Sequence, residues 1–408
     1  MRIKELYILC LTIVVFFCVS CINEGNNVVK FTLYGTDMHV RFDPSRRVEV
    51  KNGSKVEINK CLEWITSCKE TLEDCQRIKK ELNLSDWAYV KMLDRFAIAS
   101  LDSTNEAVLL MYSLLTQSGY GALINAVGNG QLRISYQTDA FVYDKVLFNY
   151  NGHNFFLYGD SINIDDAFIR IAQEGKPINF RYQGEMKLAQ KLSKPRTIKS
   201  SSPNPQLLDT TFTFTIQVNK NLVDYYGEMP TVYYDDNFMT RWSTIANYPL
   251  EQHLRNTLVR EMKQKIEGLS QRDAVQIILS WIHGRIDLKR MNPNQGIFLF
   301  AYDEEVWGYD RVFYSEESLY YPYYDSEDRA IFFSRIVRDV VGLDVVLVYY
   351  PGHLATAVCF TEGDVKGDYL MFDNRKFIIC DPTYIGSFVG EEMPSMIGIE
   401  KTVILLEK

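Results

Sequence analysis

The chain has 408 residues, of which 47% are hydrophobic and 26 are tyrosine, and its formal net charge at neutral pH is −8. This composition is typical of well-cored globular domains and excludes a largely disordered chain. The acidic balance, without a cluster of Lys and Arg, argues against nucleic acid as a partner because phosphate binding needs a basic surface.

The first 20 residues have the pattern of a targeting segment. Two basic residues precede the apolar run LYILCLTIVVFFCVS, and Ser20 places a small residue before Cys21. This pattern resembles a bacterial lipoprotein signal, which implies lipidation at Cys21. An ordinary secretion signal and a retained membrane anchor are the alternatives. We therefore predict a signal peptide over 1–20, a polar tether over 21–27, and attachment to the membrane of the bacterial cell envelope through a lipid on Cys21.

The chain after the tether opens with strands and a long helix. Alternating apolar and polar residues over 28–57 predict three strands, the last of them RRVEV. An apolar stripe over 58–82 predicts one helix, along which Cys61, Cys68 and Cys75 recur every seven residues. Residues seven apart on a helix are separated by roughly 10 Å, too far for a disulfide. We therefore expect these cysteines to be buried in the core.

Two more helices and several strands complete a first unit over 28–190. LSDWAYVKMLDRFAIASL predicts a helix with Ser85 or Asp86 as its N-cap, and DSTNEAVLLMYSLLTQSGY predicts a helix closed by Gly119. Alternation in ALINAV, QLRISYQ and YDKVLFNYNGHNFFLY predicts strands. The Ser-, Pro- and Lys-rich residues 191–208 predict a linker to a second unit.

The second unit, over 209–408, begins with the strand TTFTFTIQVN and continues with the helical patterns EQHLRNTLVREMKQKIEGL and SQRDAVQIILSWIHGRI. A loop dense in tyrosine, FYSEESLYYPYYD, leads into a helix from Asp325 and then into strands. The tyrosines either line a groove for a peptide or glycan or cover the start of this helix.

An internal repeat links the helices that begin at Asp102 and Asp325. Both open with Asp-Ser, and both carry Ala five residues and Gly seventeen residues after the Asp. The following GNGQLRI mirrors YPGHLAT with one residue inserted, so that Gln131 stands where His353 stands. We expect the two helices to superpose, each followed by an antiparallel sheet. Chance similarity between two amphipathic helices is the alternative.

Ser326, His353 and Asp381 follow one another in the order of a nucleophile, a base and an orienting carboxylate. Ser326 lies at the predicted helix start, where the macrodipole favours negative charge on a nucleophile. His353 opens one predicted strand and Asp381 closes a later one. Neighbouring strands lie about 4.8 Å apart, so these two side chains could meet.

The run DSEDRAIFF, with VRDVVGLDVVLVYYPGHLATAVCF and FIICDPTYIGS, resembles the transglutaminase-like superfamily of papain-type cysteine enzymes. It is most similar to a bacterial lipoprotein group whose helix begins DCEDRA, and the similarity is strongest over about 270–395. The resemblance implies an α+β fold of two papain/transglutaminase-like units, the first degenerate. It also implies a Cys-His-Asp triad, which maps onto Ser326, His353 and Asp381 with Ser in place of the nucleophilic Cys.

This replacement weakens the chemical case for catalysis. A hydroxyl is far less acidic than a thiol, so the dipole and imidazolium that ionise Cys do not ionise Ser. The resemblance places the oxyanion-supporting residue near Val306 and Trp307, which offer no side-chain amide. Ser326 is therefore a helix cap, a weak or specialised nucleophile, or a residue with another role. His353 and Asp381 form either a remnant of a site or a satisfied half-buried pair.

These features predict a cell-envelope lipoprotein whose transglutaminase-like domain is catalytically impaired and binds a peptide, protein or cell-wall partner. One alternative is an active amide hydrolase or acyltransferase that uses Ser326, His353 and Asp381, and another is a structural envelope protein without an open cleft. The sequence contains no HExxH, P-loop or GxGxxG motif, so we expect neither a metal nor a cofactor.

Overall fold

The computed structural model describes residues 27–128, 130–157, 167–201, 211–283 and 299–407. The predicted signal peptide and the lipidation site at Cys21 lie outside these ranges. The structure is of the α+β class, which confirms the class predicted from the sequence, and its two largest sheets are antiparallel.

The first unit has four helices and eight strands within the described residues. Its helices are α1 (Lys55–Ser67), α2 (Lys69–Glu81), α3 (Asp86–Leu101) and α4 (Asn105–Gln117). Its strands are β1 (Val28–Leu33), β2 (Thr36–Arg41), β3 (Ala122–Val127), β4 (Gln131–Gln137), β5 (Phe141–Val142), β6 (Leu147–Tyr150), β7 (His153–Leu157) and β8 (Ile169–Gln173).

The rest of the described chain contributes eight helices and ten strands. The helices are α5 (Lys220–Gly227), α6 (Thr240–Ala246), α7 (Gln252–Leu254), α8 (Arg260–Ile266), α9 (Gln271–His283), α10 (Asp303–Val306), α11 (Ser315–Tyr320) and α12 (Ser326–Val340), and a π-helical segment (Arg255–Val259) joins α7 to α8. The strands are β9 (Arg196–Ser201), β10 (Thr211–Ile216), β11 (Val232–Tyr233), β12 (Leu299–Phe300), β13 (Tyr323–Tyr324), β14 (Asp344–Tyr350), β15 (His353–Cys359), β16 (Tyr369–Phe372), β17 (Arg375–Cys380) and β18 (Thr402–Leu405).

The two five-stranded sheets have the same topology. The first has the strand order β6-β7-β4-β3-β8 and the second the order β16-β17-β15-β14-β18. In each sheet the strand pair that follows the helix is central, a second hairpin pairs on one side, and the last strand returns to the other edge. Each sheet directly follows the helix that carries the repeat, α4 or α12. Because the order of five strands is shared, and not only the pattern of one helix, the two sheets support the internal repeat more strongly than the two helices alone.

The two repeat helices end alike but begin differently. Each is followed by a capping residue and then by a glycine with positive φ, Gly119 at 88° and Gly342 at 78°, a conformation that favours Gly over residues with a side chain. The predicted start of the first helix at Asp102 is wrong. Helix α4 begins three residues later because Thr104 is the N-cap and accepts a hydrogen bond from the backbone N–H of Ala107.

Two other predictions of secondary structure are corrected. The segment RRVEV forms no strand, because a short 3-10 turn ends within it at Arg46 and the chain then runs irregularly. The predicted single helix over 58–82 breaks at Cys68 into α1 and α2. Hydroxyls just before the break compete for helix carbonyls, since Thr66 donates to Leu62 at 2.7 Å and Ser67 donates to Trp64 at 2.6 Å.

The cysteines of α1 and α2 are free thiols, as expected for core residues. Cys61 and Cys75 are buried, whereas Cys68 at the helix break is half-buried. Burial raises the pKa of the Cys61 thiol to about 12, so this thiol stays protonated at neutral pH.

One hydrophobic cluster runs through both units. It includes Leu110 of α4, Tyr226 of α5, Trp242 of α6, Ile331 of α12 and Leu347 of β14. The second unit therefore packs on the first through α5 and α6. In the described part of the predicted linker 191–208, β9 pairs with β10. Within the described ranges no helix has the length and apolar character needed to cross a membrane.

Candidate functional site

The start of α12 is capped by the residue before Ser326. Asp325 is the N-cap, and its Oδ1 accepts hydrogen bonds from the backbone N–H groups of Glu327 at 2.9 Å and Asp328 at 3.3 Å. Asp is among the best N-cap residues because its carboxylate satisfies amides that have no partner inside the helix. Ser326 is the first residue of the helix and is half-buried. The interpretation of Ser326 as the cap is therefore wrong.

His353 and Asp381 lie in contact. Nε2 of His353 is 2.8 Å from Oδ2 of Asp381, and both side chains are buried. The other carboxylate oxygen of Asp381 accepts from the backbone N–H groups of Thr383 at 2.9 Å and Tyr384 at 3.3 Å. These amides fix the carboxylate, and the carboxylate in turn fixes the imidazole. The pairing of Thr356 with the last residue of β17 is the register that brings Asp381 beside the start of β15.

The imidazole lies on the face of the second sheet that α12 does not cover. Along β15, Leu354 and Val358 belong to clusters that include residues of α12, whereas Ala355 and Ala357 belong to a separate cluster on the other face. Side chains alternate between faces along a strand, so His353 shares the face of Ala355. Its ring also lies 6.0 Å from the ring of Tyr350, the residue opposite it in the hairpin and a member of the same outer cluster.

The structure therefore brings together two of the three predicted site residues. Among the described residues, no hydrogen bond joins the hydroxyl of Ser326 to His353 or to Asp381. The helix reaches the Asp381 loop through another residue, because Nη1 of Arg329 donates to the carbonyl of Pro382 at 3.4 Å. This arginine is almost fully buried one turn into α12.

A second histidine, His283 at the end of α9, contacts the backbone of the site. Its Nε2 lies 3.2 Å from the carbonyl oxygen of Asp381, and its Nδ1 accepts from the backbone N–H of Gly386 at 3.3 Å. Burial lowers the pKa of His283 to about 4, so the ring is neutral at pH 7. The two partners fix the tautomer with the proton on Nε2. The only sequence signal for this residue is its place at the buried end of an amphipathic helix.

Carboxyl groups surround the start of α12. Asp328 is fully buried, and its Oδ1 accepts from the backbone N–H of Phe313 at 2.7 Å, while Oδ2 has no hydrogen-bond partner. Asp303 of α10 is also buried and accepts from the backbone N–H of Arg311 at 2.8 Å. Burial, together with the charges of neighbouring carboxylates, raises the pKa of Asp303 and of Asp325 to about 7.

Glu327 is the member of this group with a cationic partner. Arg241 of α6 lies 3.2 Å from its Oε1, and Nε1 of Trp242 donates to its Oε2 at 2.7 Å. Burial nevertheless raises the pKa of Glu327 to about 7. A helix N-terminus normally favours negative charge, but the raised pKa values of these carboxyls indicate that negative charge is unfavourable at this one, which also opposes negative charge on Ser326.

The tyrosine-rich loop covers the start of α12 more than it lines a groove. Tyr314 and Tyr324 are buried, and the ring of Tyr314 stacks on Tyr226 of α5 with centroids 4.0 Å apart. Trp307 lies in the segment where the oxyanion-supporting residue was expected. Its ring packs against that of Phe313, with centroids 5.8 Å apart, so it also helps to cover the start of α12.

Three cavities of the structure lie away from the predicted site residues. Their volumes are about 60, 290 and 560 Å³, and none of the three is lined by Ser326, His353 or Asp381. The cavity of 290 Å³ lies in the first unit and is lined by Ser103 and Gln131, the repeat counterparts of Ser326 and His353. Within the described ranges, no group of three or more His, Cys, Asp and Glu side chains is arranged to hold a metal ion.

Comparison of the chain with protein-family models, curated proteins and solved structures finds no match. The resemblance to transglutaminase-like proteins therefore stays a prediction from the sequence motifs around Ser326, His353 and Asp381.

Proposed function

We propose that this protein is a cell-envelope lipoprotein whose second unit is a catalytically impaired transglutaminase-like domain that binds a peptide, protein or cell-wall partner. The observation that carries the proposal is the hydrogen bonding of the three motif residues, Ser326, His353 and Asp381. His353 and Asp381 hold each other at 2.8 Å, while Ser326 is hydrogen-bonded to neither. A serine nucleophile needs a base that removes its proton as it attacks, because its hydroxyl is not ionised at neutral pH.

The electrostatics of the helix start support the same conclusion. Attack on an amide carbonyl would place negative charge beside Asp325, Glu327 and Asp328, which are already held together in a buried environment. Catalytic sites of this kind instead place donors and positive charge where negative charge develops. The matching strand order of the two sheets supports the proposal that both units descend from one transglutaminase-like ancestor.

One observation favours the alternative of an active amide hydrolase or acyltransferase. The second ring nitrogen of His353, Nδ1, has no hydrogen bond among the described residues and is free to act as a base. Because the imidazole lies on the face of the sheet that α12 does not cover, this alternative also requires Ser326 to move toward it. A purely structural envelope protein without an open cleft is the remaining alternative, and the burial of the tyrosine-rich loop favours it.

A fluorophosphonate probe separates these readings, because it labels serines only when they act as nucleophiles. We expect no labelling of Ser326 in the full chain, as judged by mass spectrometry of the peptide that contains it. Labelling at Ser326 that disappears in His353→Ala would establish a working serine nucleophile and overturn the proposal. Tyr350→Phe is a suitable control, because it changes a neighbour of His353 without removing the base.

Attachment to the membrane needs its own test. We expect Cys21→Ser to release the protein from the membrane fraction, because lipidation requires the thiol, and Cys18→Ser to leave it attached. A Cys21→Ser protein that stays membrane-bound with residues 1–20 still present would show that the segment is an anchor.

A further inference from the structure

We propose that an exposed aromatic surface, to which both units contribute, binds a basic, arginine-containing polypeptide segment of a partner. Four side chains form this surface, which we call the aromatic surface: Phe141, Tyr143, Tyr233 and Phe238. The inference rests on the binding role proposed above, because it names a class of partner for that role. It does not depend on the family relation or on the state of Ser326.

The four rings are in contact with one another. Strands β5 and β11 pair antiparallel, so that Tyr233 lies directly opposite Phe141, and their rings stack with centroids 5.0 Å apart. The ring of Phe238 lies 5.5 Å from that of Tyr233 and 5.5 Å from that of Tyr143. The rings therefore form one continuous row, and the β5–β11 pair that carries it joins the first unit to the second.

The row of rings faces solvent. Val142 and Val232 alternate with the aromatic residues along β5 and β11, and both valines are buried. Tyr143 is 40% exposed and Phe238 is 39% exposed, while the other two rings are half-buried. A contiguous group of exposed apolar side chains is typical of an interaction surface, whereas single exposed side chains are not.

Carboxylates without partners border the aromatic surface. Four exposed aspartates lie beside it in the chain: Asp139, Asp144, Asp235 and Asp236. Among the described residues, none of these four has an ion pair or a side-chain hydrogen bond. Asp235 and Asp236 form a two-residue turn with φ of 56° and 53°, a conformation that Asp tolerates, and this turn places both carboxylates close to Phe238 in the chain.

Two basic residues adjoin this group and do not neutralise it. Lys145 follows Asp144 in the chain, and the guanidinium of Arg181 lies 4.1 Å from the centroid of the Tyr234 ring. Arg181 also lies 3.9 Å from a carboxylate oxygen of Glu407. Four aspartates against two basic residues leave an excess of negative charge beside the aromatic surface, which favours a basic partner.

Arginines of the protein itself show how these rings bind a guanidinium. The guanidinium of Arg241 lies 3.6 Å from the centroid of the Phe238 ring and 4.3 Å from that of Trp242. Arg241 is buried, and its charge is paired with Glu327 at 3.2 Å. Because Arg241 covers one side of the Phe238 ring, the exposed part of this ring is open to a second guanidinium from a partner. Arg fits better than Lys because its planar group stacks on a ring and donates to a carboxylate at the same time.

The charges beside the aromatic surface argue against two other occupants. A second copy of this chain would bring equivalent aspartates together across a two-fold contact, where like charges repel. An uncharged glycan would stack on the rings but would gain no charge pairing with the aspartates.

The test is fluorescence anisotropy of labelled peptides titrated with the full chain at low ionic strength, where charge pairing is least screened. The peptides share one length and one glycine spacing and carry arginine, lysine, citrulline or glutamate at the same positions. Citrulline keeps the planar shape of arginine without its charge. We expect the arginine peptide to bind most tightly, the lysine peptide about threefold more weakly, and the citrulline and glutamate peptides about tenfold or more weakly. Equal affinity for the arginine and citrulline peptides, or no binding of the arginine peptide, would overturn the proposal.

Substitutions locate the binding on the aromatic surface. Phe238→Ala and Tyr143→Ser should each weaken binding of the arginine peptide about fivefold or more, because each removes a ring on which it stacks. Asp235→Asn combined with Asp236→Asn should weaken it about tenfold, since Asn tolerates the positive φ of the turn and both charges are removed. Asp373→Asn is the matched control, because Asp373 is an exposed turn residue of the second unit with φ of 48°. Unchanged affinity in Tyr143→Ser and in the double Asn variant contradicts the inference, whether or not Phe238→Ala folds.

Two further outcomes would assign the surface to another occupant and overturn the inference. One is binding of a neutral oligosaccharide, chitotetraose, that Tyr143→Ser weakens. The other is self-association in sedimentation that Tyr143→Ser abolishes. Failure of the proposed function is distinguishable from these outcomes, because fluorophosphonate labelling of Ser326 would overturn impaired catalysis without changing the preference for the arginine peptide.

Discussion

The two units of this chain share a topology and differ at the position where chemistry would occur. In the second unit, β15 begins with His353, which is buried against Asp381, and none of the three cavities lies beside them. In the first unit, β4 begins with the exposed Gln131, and a cavity of 290 Å³ lies beside it. The comparison shows that a repeated fold can keep a polar pair in one copy and an open cavity in the other, so function must be argued from each site separately.

The largest expected effect is on stability, and it distinguishes the first residue of β15 from the first residue of β4. His353→Ala should lower the free energy of unfolding by about 3 kcal/mol, because it leaves the buried carboxylate of Asp381 without its partner. Gln131→Ala, at the equivalent exposed position, should change it by no more than about 0.5 kcal/mol. Urea denaturation of the two variants measures both values. Similar losses of unfolding free energy in both variants would mean that the pairing of His353 with Asp381 adds no stability that the first unit lacks.

The next effect concerns pH. The pKa values of Asp303, Asp325 and Glu327 are about 7 in the folded protein, above their ordinary values near 4. The folded state therefore binds more protons than the unfolded chain. The resulting stabilisation is fully present below about pH 4 and is lost as the pH rises through about 7.

We expect the free energy of unfolding to fall by at least about 2 kcal/mol between pH 5 and pH 8. Asp325→Asn keeps a side chain that can cap the helix and should flatten this slope. Asp102→Asn, its exposed repeat counterpart, should leave the slope as in the wild type. A slope in Asp325→Asn equal to that of the wild type would show that Asp325 does not hold a proton in the folded protein over this range.

A smaller effect tests which residues cap the repeat helices. Thr104→Ala should lower the free energy of unfolding by about 1 kcal/mol, since Thr104 accepts from the backbone N–H of Ala107. Ser326→Ala should change it by less than about 0.5 kcal/mol, because Asp325 supplies the cap of α12. Thermal unfolding of both variants in the same buffer measures the two changes. If Ser326→Ala lowers the free energy of unfolding as much as Thr104→Ala does, Ser326 has a capping role.

Local patterns predicted much of the fold. ALINAV and QLRISYQ form β3 and β4 from end to end, and Ser85 caps α3 by accepting from the backbone N–H of Ala88. These segments agree with their surroundings in both periodicity and capping. Prediction failed where short polar side chains compete with the backbone, at the break beside Cys68 and at the late start of α4.

The site was predictable only in part, for a related reason. The contact between His353 and Asp381 depends on the register of two neighbouring strands, which apolar alternation fixes. The contacts of His283 with the Asp381 loop, and the burial of Asp303 beside Asp328, join segments far apart in the chain. No local periodicity encodes such contacts. The cavity beside Gln131 is likewise a property of how α3 packs against α4 and β4.

The central claim is that the second unit keeps a His–Asp pair that does not activate position 326. The direct measurement is the rate of alkylation by iodoacetamide, resolved by peptide mass spectrometry, in Ser326→Cys and in the repeat counterpart Ser103→Cys across pH 5 to 9. We expect the thiol at position 326 to react no faster below pH 7 than the thiol at position 103, and its rate to be unchanged by His353→Ala. A thiol at position 326 that reacts about 100-fold faster at pH 6, and loses this advantage in His353→Ala, would show an activated thiolate and contradict the account.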